Sequence, residues 1–155
     1  MVLLVTGAAP LDGQTTKHAF TIGDRANIFI KSDLGYGDGR GVYLYTHNDG
    51  DELPFKLQAA LARRERWSDD SYLARVIFCE MVKGEERDSM GYGISAYLGD
   101  NEHKIIVVDA HAQTVGFHRP YYNDPRGFCP TPIAQWTFAE YEALTVAAIT
   151  EAYYR

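Results

Sequence analysis

An α+β domain, with a mostly antiparallel five-stranded sheet packed on two helices, is the fold this sequence predicts. Three patterns carry that prediction. Arg25–Lys31 and Val42–His47 alternate apolar and polar residues with the period of a strand. Glu52–Arg66 and Ser68–Lys83 repeat apolar residues at helical spacing. Three further strand-like runs follow, joined by connections that suit antiparallel neighbours. The expected order is β-β-α-α-β-β-β-α, in one domain of 155 residues.

Residues 1–22 form an expected irregular lead-in, rich in Gly, Thr, Ala and Pro from residue 6 onward. In the first strand Ile28 and Ile30 point one way and Arg25, Asn27 and Phe29 the other. Asp33–Gly41 carries four glycines and Asp38, which is turn chemistry, so the second strand should close a hairpin. There Val42, Leu44 and Thr46 alternate against Tyr43, Tyr45 and His47.

Asn48-Asp49-Gly50-Asp51 breaks the chain and offers N-caps to the first helix, where Pro54 falls in the tolerated first turn. Leu53, Leu57, Ala60 and Leu61 make its apolar stripe. Ser68 or Asp69 caps the second helix and Gly84 ends it. Its centre, Val76-Ile77-Phe78-Cys79, is apolar nearly all round, so this helix is expected to be the most buried element, with Cys79 inaccessible.

The later strands are expected at Gly91–Tyr97, Lys104–Asp109 and Gln113–His118, turned by Gly99-Asp100-Asn101 and by Ala110-His111-Ala112. Residues 119–135 hold four prolines and read as an ordered surface loop. Thr137-Phe138-Ala139-Glu140 is a capping box, opening a last helix that runs to Tyr153.

The net charge of −6 and the scattered basic residues argue against gripping duplex nucleic acid. Binding there should be no tighter than the non-specific range of roughly 10⁻⁴–10⁻⁶ M. Arg63, Arg64 and Arg66 cluster at a helix C-terminus, where the helix dipole favours cations. Two cysteines in dissimilar settings suggest reduced thiols and a cytoplasmic location. Met1–Val5 is apolar but too short to span a bilayer, and no membrane association is expected. No complete metal, nucleotide-loop or nucleophile motif is present, and no cofactor is implied.

The sheet face away from the helices is the better functional signal. Arg25, Asn27, Phe29, Tyr43, Tyr45 and His47 share it, where a solvated face would show Thr, Lys and Glu. Rings, a guanidinium, an amide and an imidazole suit a planar ligand or an oligomer interface, unless the 119–135 loop simply covers them. The expected ligand-binding set is Arg25, Asn27, Tyr43, Tyr45, His47 and Asn48, holding a nucleotide-like molecule without turnover. Tyr43 and Tyr45 would stack on the base, Arg25 and His47 would meet anionic groups, and Asn27 and Asn48 would read polar edges. A protein-binding inhibitor could use the same face, and a small hydrolase could be built on His47 and Asp49 with Glu80 as an auxiliary acid. Glu80 otherwise needs a partner such as Arg75 or a Tyr hydroxyl.

Several segments carry a resemblance. They are Gly23-Asp24-Arg25-Ala26-Asn27-Ile28, Gly41-Val42-Tyr43-Leu44-Tyr45-Thr46-His47, Glu52-Leu53-Pro54, Tyr72-Leu73-Ala74-Arg75-Val76-Ile77-Phe78-Cys79, Gly91-Tyr92-Gly93-Ile94-Ser95 and Ile105-Ile106-Val107-Val108-Asp109. Over about residues 23–117 the chain resembles a group of small uncharacterised bacterial, prophage and phage proteins. That resemblance implies no catalytic residues. Its setting implies counter-defence: sequestering a nucleotide-like immune signal, or blocking a host protein.

Overall fold

The computed structural model describes residues 23–32 and 39–155. The lead-in expected over 1–22 and the glycine-rich turn at 33–38 lie outside the described residues. The fold is α+β, and among the described residues the sheet is open, mixed and six-stranded, ordered β3-β2-β1-β4-β5-β6.

The expected hairpin forms. β1 (Ala26–Lys31) pairs antiparallel with β2 (Gly41–Thr46), Ile28 lying opposite Leu44. β3 (Tyr92–Ser95) then adds to the outer side of β2. The next connection departs from expectation. Gly99-Asp100-Asn101 does not turn β3 into an antiparallel neighbour. Residues 96–104 instead cross to the other side of β1, so β4 (Ile105–Asp109) enters parallel to β1. Asn27 explains how the crossing is held. Its side-chain nitrogen donates to the Asp100 carbonyl (3.1 Å) and to Asn101 Oδ1 (3.2 Å). The Gly99 amide donates to Asn27 Oδ1 at 3.4 Å. A single buried amide thus satisfies backbone groups that no ladder reaches.

β5 (Thr114–His118) folds back antiparallel on β4, as expected. A sixth strand, β6 (Ala134–Thr137), follows the prolines and pairs with β5, where a loop to Gln135 was expected. Four residues are too few for alternation to register.

α1 (Leu53–Ala62) and α2 (Asp70–Met81) lie on one face, as the apolar stripes require. Asp69 caps α2 by accepting from the Tyr72 amide. The expected burial order is reversed. α1 buries five residues, whereas α2 buries only Leu73, Ile77 and Met81, a single stripe at four-residue spacing. Cys79 falls off that stripe and is exposed, contrary to expectation.

The capping box at Thr137 and Glu140 is present, but the last helix is two. α3 (Phe138–Glu142) stops and α4 (Val146–Tyr154) restarts with Thr145 as its cap. The Gln58 side-chain nitrogen lies 2.8–3.2 Å from the carbonyls of Tyr141, Glu142 and Leu144, satisfying groups that the break exposes.

The core on this face joins Ile28, Ile30, Leu44, Ile106, Val108 and Phe117 to apolar residues from all four helices. Two pins close it at the C-terminus. The Tyr153 hydroxyl donates to the Gly50 carbonyl (3.0 Å), and the His103 ring stacks on Tyr153 while bonding to Asp24. No described helix is long and apolar enough to cross a membrane.

Candidate functional site

Strand alternation delivers the other sheet face much as expected, but not to solvent. Residues 119–133 run across it as a strap, folded back on itself by the Pro120–Phe128 bridge and by the Cys129 amide donating to the Arg119 carbonyl. Phe128 enters from the strap and packs against Phe29, whose ring meets Tyr43 at 4.8 Å between centroids. Ile105 completes this small second core. Tyr43 is 3% exposed, and its hydroxyl donates to the Arg126 carbonyl at 2.6 Å. Of the three covers the sequence left open, the chain's own loop takes the centre of the face.

The six expected ligand residues therefore separate. Tyr43 and Asn27 are buried, one under the strap and the other holding the 99–101 crossing, so neither offers a surface for stacking or edge-reading. Tyr45 is half-buried, with Gly99 close against its ring, and its hydroxyl lies 3.0 Å from His47 Nδ1. Asn48 is exposed on the turn before α1. Arg25, of the six, lines a cleft.

That cleft, about 630 Å³, opens where the 97–102 crossing faces residues 122–127 of the strap. Arg25 stands at its sheet side, 3.5 Å from Glu102 and 3.9 Å from Asp100. Tyr97 and Tyr122 stand on its walls, 73% and 75% exposed. Asp124 adds a third carboxylate. Hydrogen bonds from the Arg126 side chain and amide hold its carboxyl down at about 2, so it stays charged at any ordinary pH. The site is acidic overall, with one guanidinium already engaged.

A smaller cavity, about 190 Å³, lies beyond the Phe29–Phe128 plug at the C-terminal ends of β1 and β4. Lys31, Asp109, Thr114, Gly116, His118 and Gln135 approach it from the sheet, and Arg126, Phe128, Pro130 and Pro132 from the strap. His118 is 7% exposed and donates through Nδ1 to the Cys129 carbonyl at 2.7 Å. Burial first, and then Arg126 nearby, push its pKa down even though the Cys129 bond opposes them, so the neutral ring is favoured.

The residues of the hydrolase alternative are committed elsewhere. Asp49 Oδ2 accepts from Lys56 Nζ at 2.8 Å and from the Tyr92 hydroxyl, which also reaches Glu85 at 2.6 Å. Burial, and then those two carboxylates, drive the Tyr92 pKa up. Glu80 pairs with Arg63 and Lys83, not Arg75. The basic cluster is likewise occupied: Arg63 meets Glu65, Arg64 meets Glu142, and Arg66 lies over the Tyr72 ring. No group of three or more His, Cys, Asp or Glu suited to a metal occurs among the described residues.

Comparison with protein-family models, curated proteins and solved structures finds no match to this chain. The site's own chemistry is therefore the ground for a functional reading.

Sequence reasoning found Arg25 and missed the rest of the cleft. Asp100, Glu102, Tyr97, Tyr122 and Asp124 sit in connections with no periodicity, and only the fold brings the two connections together.

Proposed function

We propose that this is a non-enzymatic binding protein that holds a planar, amino-bearing heterocycle in the cleft at Arg25. One observation carries the reading. A cleft of about 630 Å³, within the usual range for small ligands, has two exposed tyrosine rings on its walls and hydrogen-bonding groups at its base. Tyr97 and Tyr122 supply stacking surface. Asp100 and Glu102 accept from ring amino groups, and Arg25 meets an acceptor edge. A nucleotide-like ligand fits in its base, whereas its phosphates would have to lie away from the three carboxylates. The resemblance to phage and prophage proteins makes sequestration of a host immune signal the setting we propose for this binding.

Titration calorimetry with nucleosides and nucleotides, beside mass spectrometry of small molecules released from protein purified from a defence-active host, tests the reading. Tyr122→Ala should weaken binding by about 5- to 200-fold, the cost of roughly 1–3 kcal/mol for one stacked base. A fully folded protein that binds none of them and releases nothing sinks it.

A second reading has its own support. Tyr97, Tyr121 and Tyr122 are all exposed, and exposed tyrosines are favoured at protein interfaces. A host-protein inhibitor would lose its partner on Tyr121→Ala, a residue that does not line the cleft, while a small-ligand site would not respond.

A further inference from the structure

The cavity on the other side of the plug has no part in that reading, and it has the features of a separate site. Its floor is one face of four strands, and the strap closes over it. Its lining includes Gly116, a glycine inside a strand, which marks a place where another group approaches the backbone closely. A Cβ on Gly116 would lie 2.7 Å from His118 Nε2 and 3.4 Å from Pro132 Cβ. The glycine is what allows the His118 ring and Pro132 to lie this close to the strand, and the ring borders the cavity.

His118 is prepared for that space. The Cys129 carbonyl can only accept, so Nδ1 carries a proton and Nε2 of the neutral ring is left as an acceptor. Nε2 forms no hydrogen bond among the described residues, although the side chain is almost wholly enclosed. Phe29, Phe128, Pro130 and Pro132 give apolar walls, while Arg126 and Lys31 bring two cations, which also meet Asp124 and Asp109. Arg126 is held in place over the Phe128 ring, 4.9 Å from its centroid, and anchored by Asp124. Lys31 meets Asp109 at 3.0 Å.

The geometry points to a second binding site under the strap that takes a one-ring aromatic hydroxy acid. Its hydroxyl donates to His118 Nε2, its ring lies among Phe29, Phe128, Pro130 and Pro132, and its carboxylate lies toward Arg126 and Lys31. The volume agrees. A cavity of 190 Å³ is somewhat larger than the engineered apolar cavity of about 150 Å³ that holds benzene.

The test is calorimetry of the full chain with 3-hydroxybenzoate, 4-hydroxybenzoate and benzoate, beside NMR of the histidine ring nitrogens. At least one hydroxybenzoate should bind and shift His118 Nε2, and benzoate should bind about fivefold to tenfold more weakly for want of the donor. Gly116→Ala should abolish binding by pushing the His118 ring out of its place. Arg25→Ala, in the other cleft, should leave this binding unchanged, which separates the two sites. Should Gly116→Ala lose its fold, Lys31→Met, at a half-exposed side chain, decides alone by weakening the acid several-fold. No binding of any of the three acids at millimolar concentration overturns the site. So does undiminished binding in folded Gly116→Ala or in Lys31→Met.

Discussion

Four helices cover one face of the sheet with side chains at helical spacing, and the rings of Phe117, Trp136, Tyr141 and Tyr153 meet one another in the core they close. Among the described residues the other face is covered by chain with no helix, and the buried residues of its second core are Phe29, Tyr43, Ile105 and Phe128. A helix satisfies its own backbone and can be buried wherever its stripe is apolar. The strap cannot do this, so specific bonds hold it: the Tyr43 hydroxyl to Arg126, His118 to Cys129, and Arg126 to Asp124. Such a cover leaves gaps, and the cleft and the cavity are the gaps on either side of its one anchoring ring. Both proposed sites lie on this face, although a gap of about 290 Å³ also opens on the helix side, between α2 and Ile30 and Val42.

The comparison breaks most readily in stability. Phe117→Ala, on the helix face, should cost about 3–5 kcal/mol, the range for emptying a well-packed aromatic site. Phe128→Ala should cost less, about 2–3 kcal/mol, because a loop can settle into the space where four packed helices cannot. Denaturant unfolding of both variants checks the order. Equal losses would mean that the strap is as rigid a layer as the helices.

A smaller and more local effect is expected from Tyr43→Phe. It keeps the ring and removes one hydrogen bond, worth about 1 kcal/mol. Hydrogen exchange should accelerate at strap amides such as Cys129 and Gly127 and stay unchanged in α1. Uniform acceleration would make the strap part of the global core.

Acid should loosen the strap before the helix face. The Asp124 carboxyl is held at about 2, below its unfolded value, so its contribution is complete above roughly pH 4 and lost as pH falls through 2. The neutral form favoured at His118 acts in the same direction at higher pH. The unfolded chain takes up that proton first, so strap stability declines as pH falls below the ordinary histidine value of about 6.5. NMR titration of both groups checks this, and Arg126→Met should raise Asp124 toward the ordinary carboxylate range, with the residue-126 amide still holding it partly down.

The thiols give the least energetic and quickest check. Cys79 is exposed on the outer side of α2 and should react at once with a thiol reagent in the native protein. Cys129, half-buried in the strap, should lag behind it and catch up in Tyr43→Phe.

By itself the sequence determined the sheet faces, both long helices and the Asp69 and Thr137 caps, because alternation and helical spacing are local properties of side-chain direction. The N-cap of α1, by contrast, is Glu52, with no side-chain cap bond, and not one of Asn48–Asp51. Ile28, Ile30, Val42 and Leu44 could be assigned to the helix side from period alone. Tertiary structure decided what those patterns leave open. Whether Gly99-Asp100-Asn101 turns back or crosses depends on Asn27, more than seventy residues away in the chain. Whether an aromatic face meets a ligand or its own chain depends on where Phe128 lands, and nothing in a proline-rich segment encodes its landing point locally. Cys79 lies in an apolar run, yet which sector of α2 is buried was set by where it packs against α1 and the β1–β2 hairpin. The cleft around Arg25 exists only because two aperiodic connections, at 97–102 and 122–127, arrive at one end of the same sheet. Local sequence specifies which way a side chain points, whereas the long-range pairing of β1 with β4 and the course of the strap decide what it points at.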